Sequence, residues 1–322
     1  MAAVEPPVRA SGGLKTGGLR FRPGDLIFQL LTGAASLAVV GLVVLLTYKV
    51  IRQAWGAINH FGIAFVWNTV WDPLKDQFGA GQFIVGTLVT SLVAVAIATP
   101  LAIAIALFLT ELCPRPLRGP IGTLVELLAS VPSVVLGLWG ILVMGPFVAN
   151  HLEPWLKSVL GFIPLFSGPT SIVGILPAIL ILTIMILPIV SAISRELFTR
   201  VPRELREGAL GLGTTRWEAI RGVVIPYAGP GIAAAVILGL GRAVGEAIAV
   251  TQVIGGGNGL HWSLFATGDT LASRIANTYQ GATTNLEITS ILYLAAILLV
   301  ISLLANMAAQ VVVRRAERRG VL

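Results

Sequence analysis

The sequence predicts an all-helical integral membrane protein with six transmembrane helices. Of its 322 residues, 56% are hydrophobic and 11% are charged, whereas soluble proteins average about 25% charged residues. Six apolar runs are each long enough for a helix of about 20 residues to cross a bilayer. The net charge of +7 would indicate nucleic acid as a partner of a soluble chain, but in a membrane protein the basic residues are counted loop by loop. We therefore expect a lipid bilayer around the chain and no nucleic-acid partner.

The six apolar runs divide the chain in order. They lie near residues 26–50, 83–109, 127–149, 171–193, 228–254 and 288–313. Residues 1–25 are rich in Gly, Pro and basic residues and lack periodicity, which predicts a disordered basic tail. We expect the first span and an outer segment at 26–82, a core transmembrane domain at 83–313, and a second basic tail at 314–322.

Basic residues are distributed unevenly between the two sides of the predicted membrane. Sixteen of the 22 lysines and arginines fall in the two tails, in the turn with Arg115 and Arg118, and in the stretch 195–221. Five fall in the other loops, and Arg242 lies inside a span. Because cytoplasmic loops carry the excess of Lys and Arg, we expect both termini and the 195–221 stretch on the cytoplasmic side.

One long polar stretch, residues 203–226, separates the fourth apolar run from the fifth. Its charges alternate in sign while its leucines keep an apolar side, which predicts a short amphipathic helix. Gly213 favours a left-handed turn after that helix, and Thr214 or Thr215 can cap a second helix. We expect Pro226 to end the second helix before the next apolar run. The predicted unit is a helix, a glycine turn and a helix.

The spacing within this stretch resembles the EAA loop of ABC importer permeases, whose pattern is Glu-Ala-Ala, three residues, Gly, nine residues and Ile-x-Leu-Pro. The residues that the resemblance assigns to the loop are Glu204, Glu207, Ala209, Gly213 and Pro226. It implies the ABC importer type I (MetI-like) permease fold, with these residues in a coupling helix that docks into a groove of a cytoplasmic ATPase. An ordinary charged loop is the alternative.

Further stretches resemble the PstC family of phosphate importer permeases. They are residues 71–73, 78–80, 86–91, 126–135, 241–246 and 269–273. The resemblance runs from about residue 25 to the end of the sixth span. It implies a core permease domain that forms half of a channel for inorganic phosphate in a bacterial plasma membrane, next to the homologous permease PstA. It also implies two copies of the ATPase PstB and a phosphate-binding protein, PstS.

The sequence agrees with a division of labour between subunits. No Gly-x-x-x-x-Gly-Lys-Ser/Thr stretch, which would cradle the phosphates of a nucleotide, occurs in the chain. We therefore expect a transport subunit without enzymatic activity and without a cofactor, and we expect ATP hydrolysis by a separate partner.

Arg242 and Glu246 lie four residues apart near the middle of the fifth span, so a continuous helix would place them on one face. A charge at that depth costs about 2.5–3.5 kcal/mol on insertion scales and normally faces a bundle interior or a water-filled path. Arginine suits phosphate because its fork of donors meets two oxygens at once. We expect Arg242 to meet phosphate and Glu246 to hold Arg242 when no anion is present. A structural ion pair is the alternative.

Four hydroxyl side chains are further candidates for the substrate path. Ser130 and Ser133 flank Pro132 in the third span, where proline frees a backbone carbonyl and a kink can line the path. Thr90 and Ser91 in the second span offer further donors, although hydroxyls in membrane helices commonly bond their own backbone.

Other functions stay open at the level of the sequence. The chain could be a permease for another oxyanion or the PstA partner itself, although the matches in the outer loops argue against both. A gradient-driven secondary transporter would use Glu246 as a proton carrier, and a helical scaffold would have little reason to keep charges at mid-membrane. An enzyme is the weakest alternative, because the three histidines lie in separate outer loops without the spacing of metal ligands.

Overall fold

The computed structural model describes residues 23–259 and 261–318, and the regular structure in these ranges is helical. No β-strand occurs in them; isolated bridges join Asp72 to Gln77 and Gly255 to Gly268. Six helical segments are long and apolar enough to cross a membrane. The predictions of an all-helical fold and six spans are therefore confirmed.

The α-helices in the described ranges are α1 (Pro23–Phe61), α2 (Ala64–Trp67), α3 (Gly81–Leu107), α4 (Arg115–Ser130), α5 (Ser133–Trp139), α6 (Gly145–Phe147), α7 (Glu153–Leu160), α8 (Ile175–Thr199), α9 (Arg203–Gly211), α10 (Arg216–Ala219), α11 (Ile225–Gly245), α12 (Ile248–Val253), α13 (Leu271–Thr278) and α14 (Asn285–Arg318). Wide π-helical turns at Phe108–Leu112, Gly140–Met144, Val148–Leu152 and Ile220–Val224 continue or join them. Short 3₁₀ turns lie at Pro73–Lys75 and Pro164–Phe166.

Several spans extend beyond the predicted bounds: the first ends at Phe61 rather than near 50, the third ends at Leu160 rather than near 149, and the fifth begins at Arg216 rather than near 228. Two spans are also shortened by breaks. The third span starts at Ser133 rather than near 127, because Val131 is extended, as a residue before proline prefers. The fifth span ends at Gly245 rather than near 254, because Glu246 is extended and a separate helix, α12, follows. Two of the predicted spans are therefore interrupted near residues that the sequence analysis selected for the path.

The first predicted tail lies almost wholly outside the described residues, and the second lies partly outside them. The structure says nothing of residues 1–22 and 319–322, whereas α1 already begins at Pro23 and α14 continues to Arg318. The described part divides into two compact units between Tyr48 and Lys49. In the first unit every side chain from 26 to 46 is exposed, and their apolar character suits contact with lipid.

Small residues build the centre of the second unit. Ala94, Ala98 and Ala102 recur every four residues on α3 and are fully buried, so α3 packs closely against α8. α8 is the most buried of the six spans. The same apolar cluster includes buried residues of α5, α11 and α12. The two interrupted spans are therefore packed on a common core.

Candidate functional site

The 203–226 loop has the predicted helix, turn and helix. α9 ends at Gly211, and Gly213 has a φ of 85°, a left-handed conformation that favours glycine. Thr215 caps α10: its backbone N–H donates to Glu218 Oε2 at 2.7 Å, and the N–H of Glu218 donates to Thr215 Oγ1 at 3.3 Å. This reciprocal capping box satisfies donors that have no partner within the helix.

The expectation that Pro226 ends the second helix is wrong. The helical segment runs without interruption from Arg216 to Gly245, with a wide turn over Ile220–Val224 just before the proline. Pro226 then occupies the first turn of α11. Proline lacks a backbone donor, and a turn that departs from regular α-helical bonding accommodates its ring. The second helix of the 203–226 loop is therefore continuous with the fifth span.

Most of the predicted loop residues face outward. Glu204, Glu207, Gly213 and Pro226 are exposed, and Ala209 is half-buried. Four large apolar side chains of the loop are also exposed, and together we call them the loop face. They are Leu205, Leu210, Leu212 and Trp217. Exposed large apolar side chains among charged residues are a feature of surfaces that bind another protein.

An ion pair that the sequence analysis missed anchors α9. Arg206 Nη1 lies 2.7 Å from Glu111 Oε1, and Arg206 also donates to the carbonyl oxygen of Phe198. Glu111 lies in the turn that extends α3, and Phe198 lies near the end of α8. Both charged side chains are mostly buried. The pair therefore holds the 203–226 loop on two spans of the core.

Arg242 and Glu246 do not share one continuous helix face, contrary to the sequence prediction. α11 ends at Gly245, and the carboxylate of Glu246 instead accepts the backbone N–H of Ala249 at 3.3 Å, in the first turn of α12. The ion pairs among the described residues do not include one between Arg242 and Glu246. Glycine weakens the helix at this point, and the glutamate caps the next one.

The side chain of Arg242 lies on the free side of α11. Tyr227, Ala234, Leu238 and Arg242 are all exposed, and their spacing of seven, four and four residues places them along one stripe of the helix. An adjoining side packs on α8, where Gly239 faces Ile186 and Val190. Arg242 thus points away from the core of its own chain.

The break in the third span lies beside Ser130 and Ser133. Ser130 closes α4 and donates its hydroxyl to the carbonyl oxygen of Leu127 at 2.7 Å. Ser133 opens α5 and is half-buried. The proline between them therefore separates two helices rather than bending one.

The helices that follow the two breaks, α5 and α12, pack on each other. A side-chain carbon on Gly137 would come within 2.9 Å of Ala249, and one on Gly140 would come within 2.7 Å of Val253. From the first contact to the second, the residue numbers increase on both helical segments, so α5 and α12 run parallel to each other. Interrupted helices at membrane depth are tolerated where they are buried in protein or line a cavity.

Thr90 and Ser91 lie on α3. Both are fully buried, and their hydroxyls donate to carbonyl oxygens of their own helix, those of Gly86 at 2.8 Å and Thr87 at 2.6 Å. A hydroxyl has one proton to donate, so neither has a donor left for an anion in this arrangement. This corrects the expectation that they offer donors to the substrate path.

Residues 98–318 match the protein family described as binding-protein-dependent transport system inner membrane component. Curated relatives match over almost the full length. The phosphate transport system permease protein PstC of Mesorhizobium japonicum is 42% identical over 99% of both chains. The protein of the same name from Pasteurella multocida is 38% identical over 92% of this chain and 93% of the relative.

A solved structure has the same fold. It is a chain of a bacterial alginate ABC transporter in complex with an alginate pentasaccharide-bound periplasmic protein. The match covers 90% of this chain and 97% of that one, with a TM-score of 0.56 and 20% sequence identity. At this identity the likeness concerns the fold alone, and it agrees with the predicted permease fold of ABC importers.

Proposed function

The chain belongs to the PstC family of phosphate transport system permease proteins, among the binding-protein-dependent transport system inner membrane components, and from this membership we propose that it is a permease subunit of an ATP-driven phosphate importer. The full-length likeness to the named permeases carries the proposal. The chain forms half of the translocation path in a bacterial plasma membrane, and both termini lie in the cytoplasm.

The partners follow from the division of labour. A homologous permease, PstA, supplies the other half of the path, and a phosphate-binding protein, PstS, delivers inorganic phosphate from outside. A dimer of the ATPase PstB binds the loop face on the cytoplasmic side. The exposed Leu205, Leu210, Leu212 and Trp217 support this docking site, because buried apolar anchors dominate the energetics of protein interfaces.

The substrate path runs along the free stripe of α11 and past the two helix breaks. Arg242 lies on that stripe, away from the core of its own chain. The planar guanidinium fork of an arginine meets phosphate oxygens in pairs. Glu246, Ser130 and Ser133 lie at or beside the breaks. In this arrangement Glu246 shapes the path by capping α12 rather than by pairing with Arg242 along one helix.

The ATPases drive the path through the 203–226 loop. Closure of two ATPase subunits on ATP moves the loop, and the continuous helical segment Arg216–Gly245 carries that movement to the level of Arg242. The Arg206–Glu111 pair transfers it to α3. Hydrolysis then returns the spans to the inward-facing state, in the manner of switching elements that have two arrangements.

The experiment is uptake of labelled phosphate into vesicles that contain this chain, with and without the partner permease, the ATPase and the binding protein. We expect uptake to require all four components and ATP, and to be inhibited by arsenate but not by sulfate. Arg242→Gln is expected to reduce uptake at least about tenfold, the effect of losing about 1.4 kcal/mol of interaction. Arg52→Gln, which changes an exposed arginine of α1, is the matched control.

Two results would contradict the proposal. Uptake by this chain alone, driven by a proton gradient, would make it a secondary transporter. Normal ATP-driven uptake by an Arg242→Gln complex that assembles like the parent would remove Arg242 from the path.

A further inference from the structure

A charged cavity of about 640 Å³ lies at the same end of the molecule as the 203–226 loop. It is bounded by α4, α8 and the turn that extends α3. The same turn holds Glu111, the partner of Arg206 on α9. The charged residues of its lining are Arg115, Arg118, Arg195, Glu126 and Glu196. None of these residues belongs to the substrate path or to the loop face.

The sequence shapes this cavity at Gly122. A side-chain carbon at Gly122 would collide with Nη1 of Arg195, so the glycine on α4 gives the guanidinium from α8 room to reach the cavity. Arg195 Nη2 then pairs with Glu126, one turn further along α4. Arg195, on the α8 side of the cavity, is thus held in place by its ion pair with Glu126.

The charges in the cavity do not balance. The pair with Arg195 neutralises Glu126, and Arg200 pairs with Glu196 from outside the lining. Arg115 and Arg118 have no acidic partner within 4.0 Å among the described side chains. Arg118 is oriented by donation from Nη2 to the carbonyl oxygen of Thr110 at 2.7 Å.

The position of the two arginines increases the preference for an anion. Both lie in the first turn of α4, where the helix dipole is positive and disfavours cations that have no counter-charge. An anion in the cavity would gain from both guanidinium groups and from the dipole.

We propose that the cavity binds a phosphate group, either inorganic phosphate or the headgroup of an anionic phospholipid. The guanidinium forks of Arg115 and Arg118 contact the phosphate oxygens in pairs, as planar guanidinium groups do. The volume accommodates a hydrated phosphate or a headgroup whose acyl chains continue along the exposed apolar side of α4, at Leu117 and Leu124. This site is separate from Arg242 and does not depend on the proposed transport path.

The test uses the full chain with Arg242→Gln throughout, so that phosphate bound at the path does not contribute. In detergent, binding of radiolabelled inorganic phosphate is measured by equilibrium dialysis. In nanodiscs of phosphatidylcholine with added phosphatidylglycerol, retained phosphatidylglycerol is counted by native mass spectrometry. Each measurement compares the parent with Arg115→Gln/Arg118→Gln and with the matched control Arg52→Gln.

We expect the double variant to bind one of the two ligands at least about tenfold more weakly, because each lost guanidinium removes charge-assisted hydrogen bonds. Arg52→Gln should change the binding of neither ligand. Weaker binding of inorganic phosphate identifies free phosphate as the ligand, and weaker retention of phosphatidylglycerol identifies the headgroup. If the double variant unfolds, Arg115→Lys/Arg118→Lys keeps the charge, loses the forks and is expected to show intermediate binding. Unchanged binding of both ligands in a folded variant overturns the proposal.

Discussion

The guanidinium of Arg274 lies beside the carboxylate of Asp269, with 3.6 Å between Nη1 and Oδ2. The same guanidinium lies over the rings of Trp71 and Phe83, 5.1 and 5.2 Å from their centroids. The side chain of Asp269 is 1% exposed and that of Arg274 is 14% exposed. This buried pair joins the start of α13 to the segment before α3, at the opposite end of α3 from α9.

Burial has the largest effect on the pKa of both side chains. It raises the pKa of the Asp269 carboxyl, an effect that the hydrogen bond from Ser273 and the charge of Arg274 partly offset. It lowers the pKa of the Arg274 guanidinium, which the charge of Asp269 partly offsets. Because the folded state holds the Asp269 proton more tightly than the unfolded state, the contribution of Asp269 to stability falls as pH rises from about 4 through the raised pKa.

Replacing Arg274 should therefore lower the stability of the protein more at neutral pH than in acid. Arg274→Met leaves the Asp269 carboxylate buried without a cation, and loss of one partner from a buried pair costs about 3–5 kcal/mol. The pKa of Asp269 then rises further, so the deficit shrinks as pH falls and the carboxyl is protonated. Thermal unfolding of the purified chain between pH 8 and pH 4 measures this.

The matched control for that variant is Lys75→Met. Lys75 pairs with Asp72 on the surface, where its side chain is 72% exposed, so we expect a loss below about 1 kcal/mol that varies little with pH. An equal loss in the two variants, or a deficit of Arg274→Met that grows in acid, would show that the buried pair does not have the assigned role.

The Arg206–Glu111 pair should determine how well ATP hydrolysis is coupled to uptake. Arg206→Met removes hydrogen bonds to a charged group and to a backbone carbonyl, each worth about 1.5–3 kcal/mol, so α9 is held less firmly on α3 and α8. We expect ATP-driven uptake to fall about tenfold while ATPase binding is retained. The readout is phosphate transported per ATP hydrolysed in the complete complex.

Arg203→Met is the control for this prediction, because Arg203 lies on the same helix but is exposed. Glu111→Gln should reproduce the loss seen with Arg206→Met, and the exchange Arg206→Glu/Glu111→Arg should restore part of the coupling. Uptake per ATP that is the same in Arg203→Met and Arg206→Met would rule out the anchoring role.

Two glycines of the loop should respond to alanine in opposite directions. Gly208 is helical and has open space around it, so Gly208→Ala is expected to stabilise α9 by about 0.5–1 kcal/mol. Gly213 also has open space, but its φ of 85° is left-handed, and alanine there costs about 1–2 kcal/mol. Thermal unfolding of the two variants gives the sign. Equal shifts would mean that the left-handed turn does not form.

A side chain on Gly137 should disturb the two helix breaks. Gly137→Ala places a carbon 2.9 Å from Ala249 and 3.0 Å from the side chain of Gln252, so α5 and α12 must separate by several tenths of an ångström. We expect a loss of about 1–3 kcal/mol in stability, as for overpacking in a core, and reduced phosphate uptake. Gly33→Ala, which lies within α1 and meets nothing within 4 Å, should leave uptake unchanged and cause no loss of stability.

Properties that depend on neighbours in the chain could be predicted from the sequence alone. The six spans follow from runs of apolar residues, because a bilayer demands only length and hydropathy of a helix. The turn at Gly213 and the cap at Thr215 follow from the conformations that glycine and threonine prefer. These interactions join residues that are only a few positions apart in the chain, so no knowledge of the rest of the fold is needed to predict them.

Properties that join distant residues required the tertiary structure. Arg206 and Glu111 are 95 residues apart, and no local pattern states that the first turn of α9 meets the turn after α3. Arg242 and Glu246 do not share the expected helix face, because a spacing of four predicts one only if the helix continues, and here packing of α12 on α5 accompanies the break. Thr90 and Ser91 were suitable by type, yet tight packing of α3 buries them. The sequence determined the helical class and the six spans, whereas the contacts between helices decided which polar side chains remain free for a ligand, because burial and pairing are set by residues far apart in the chain.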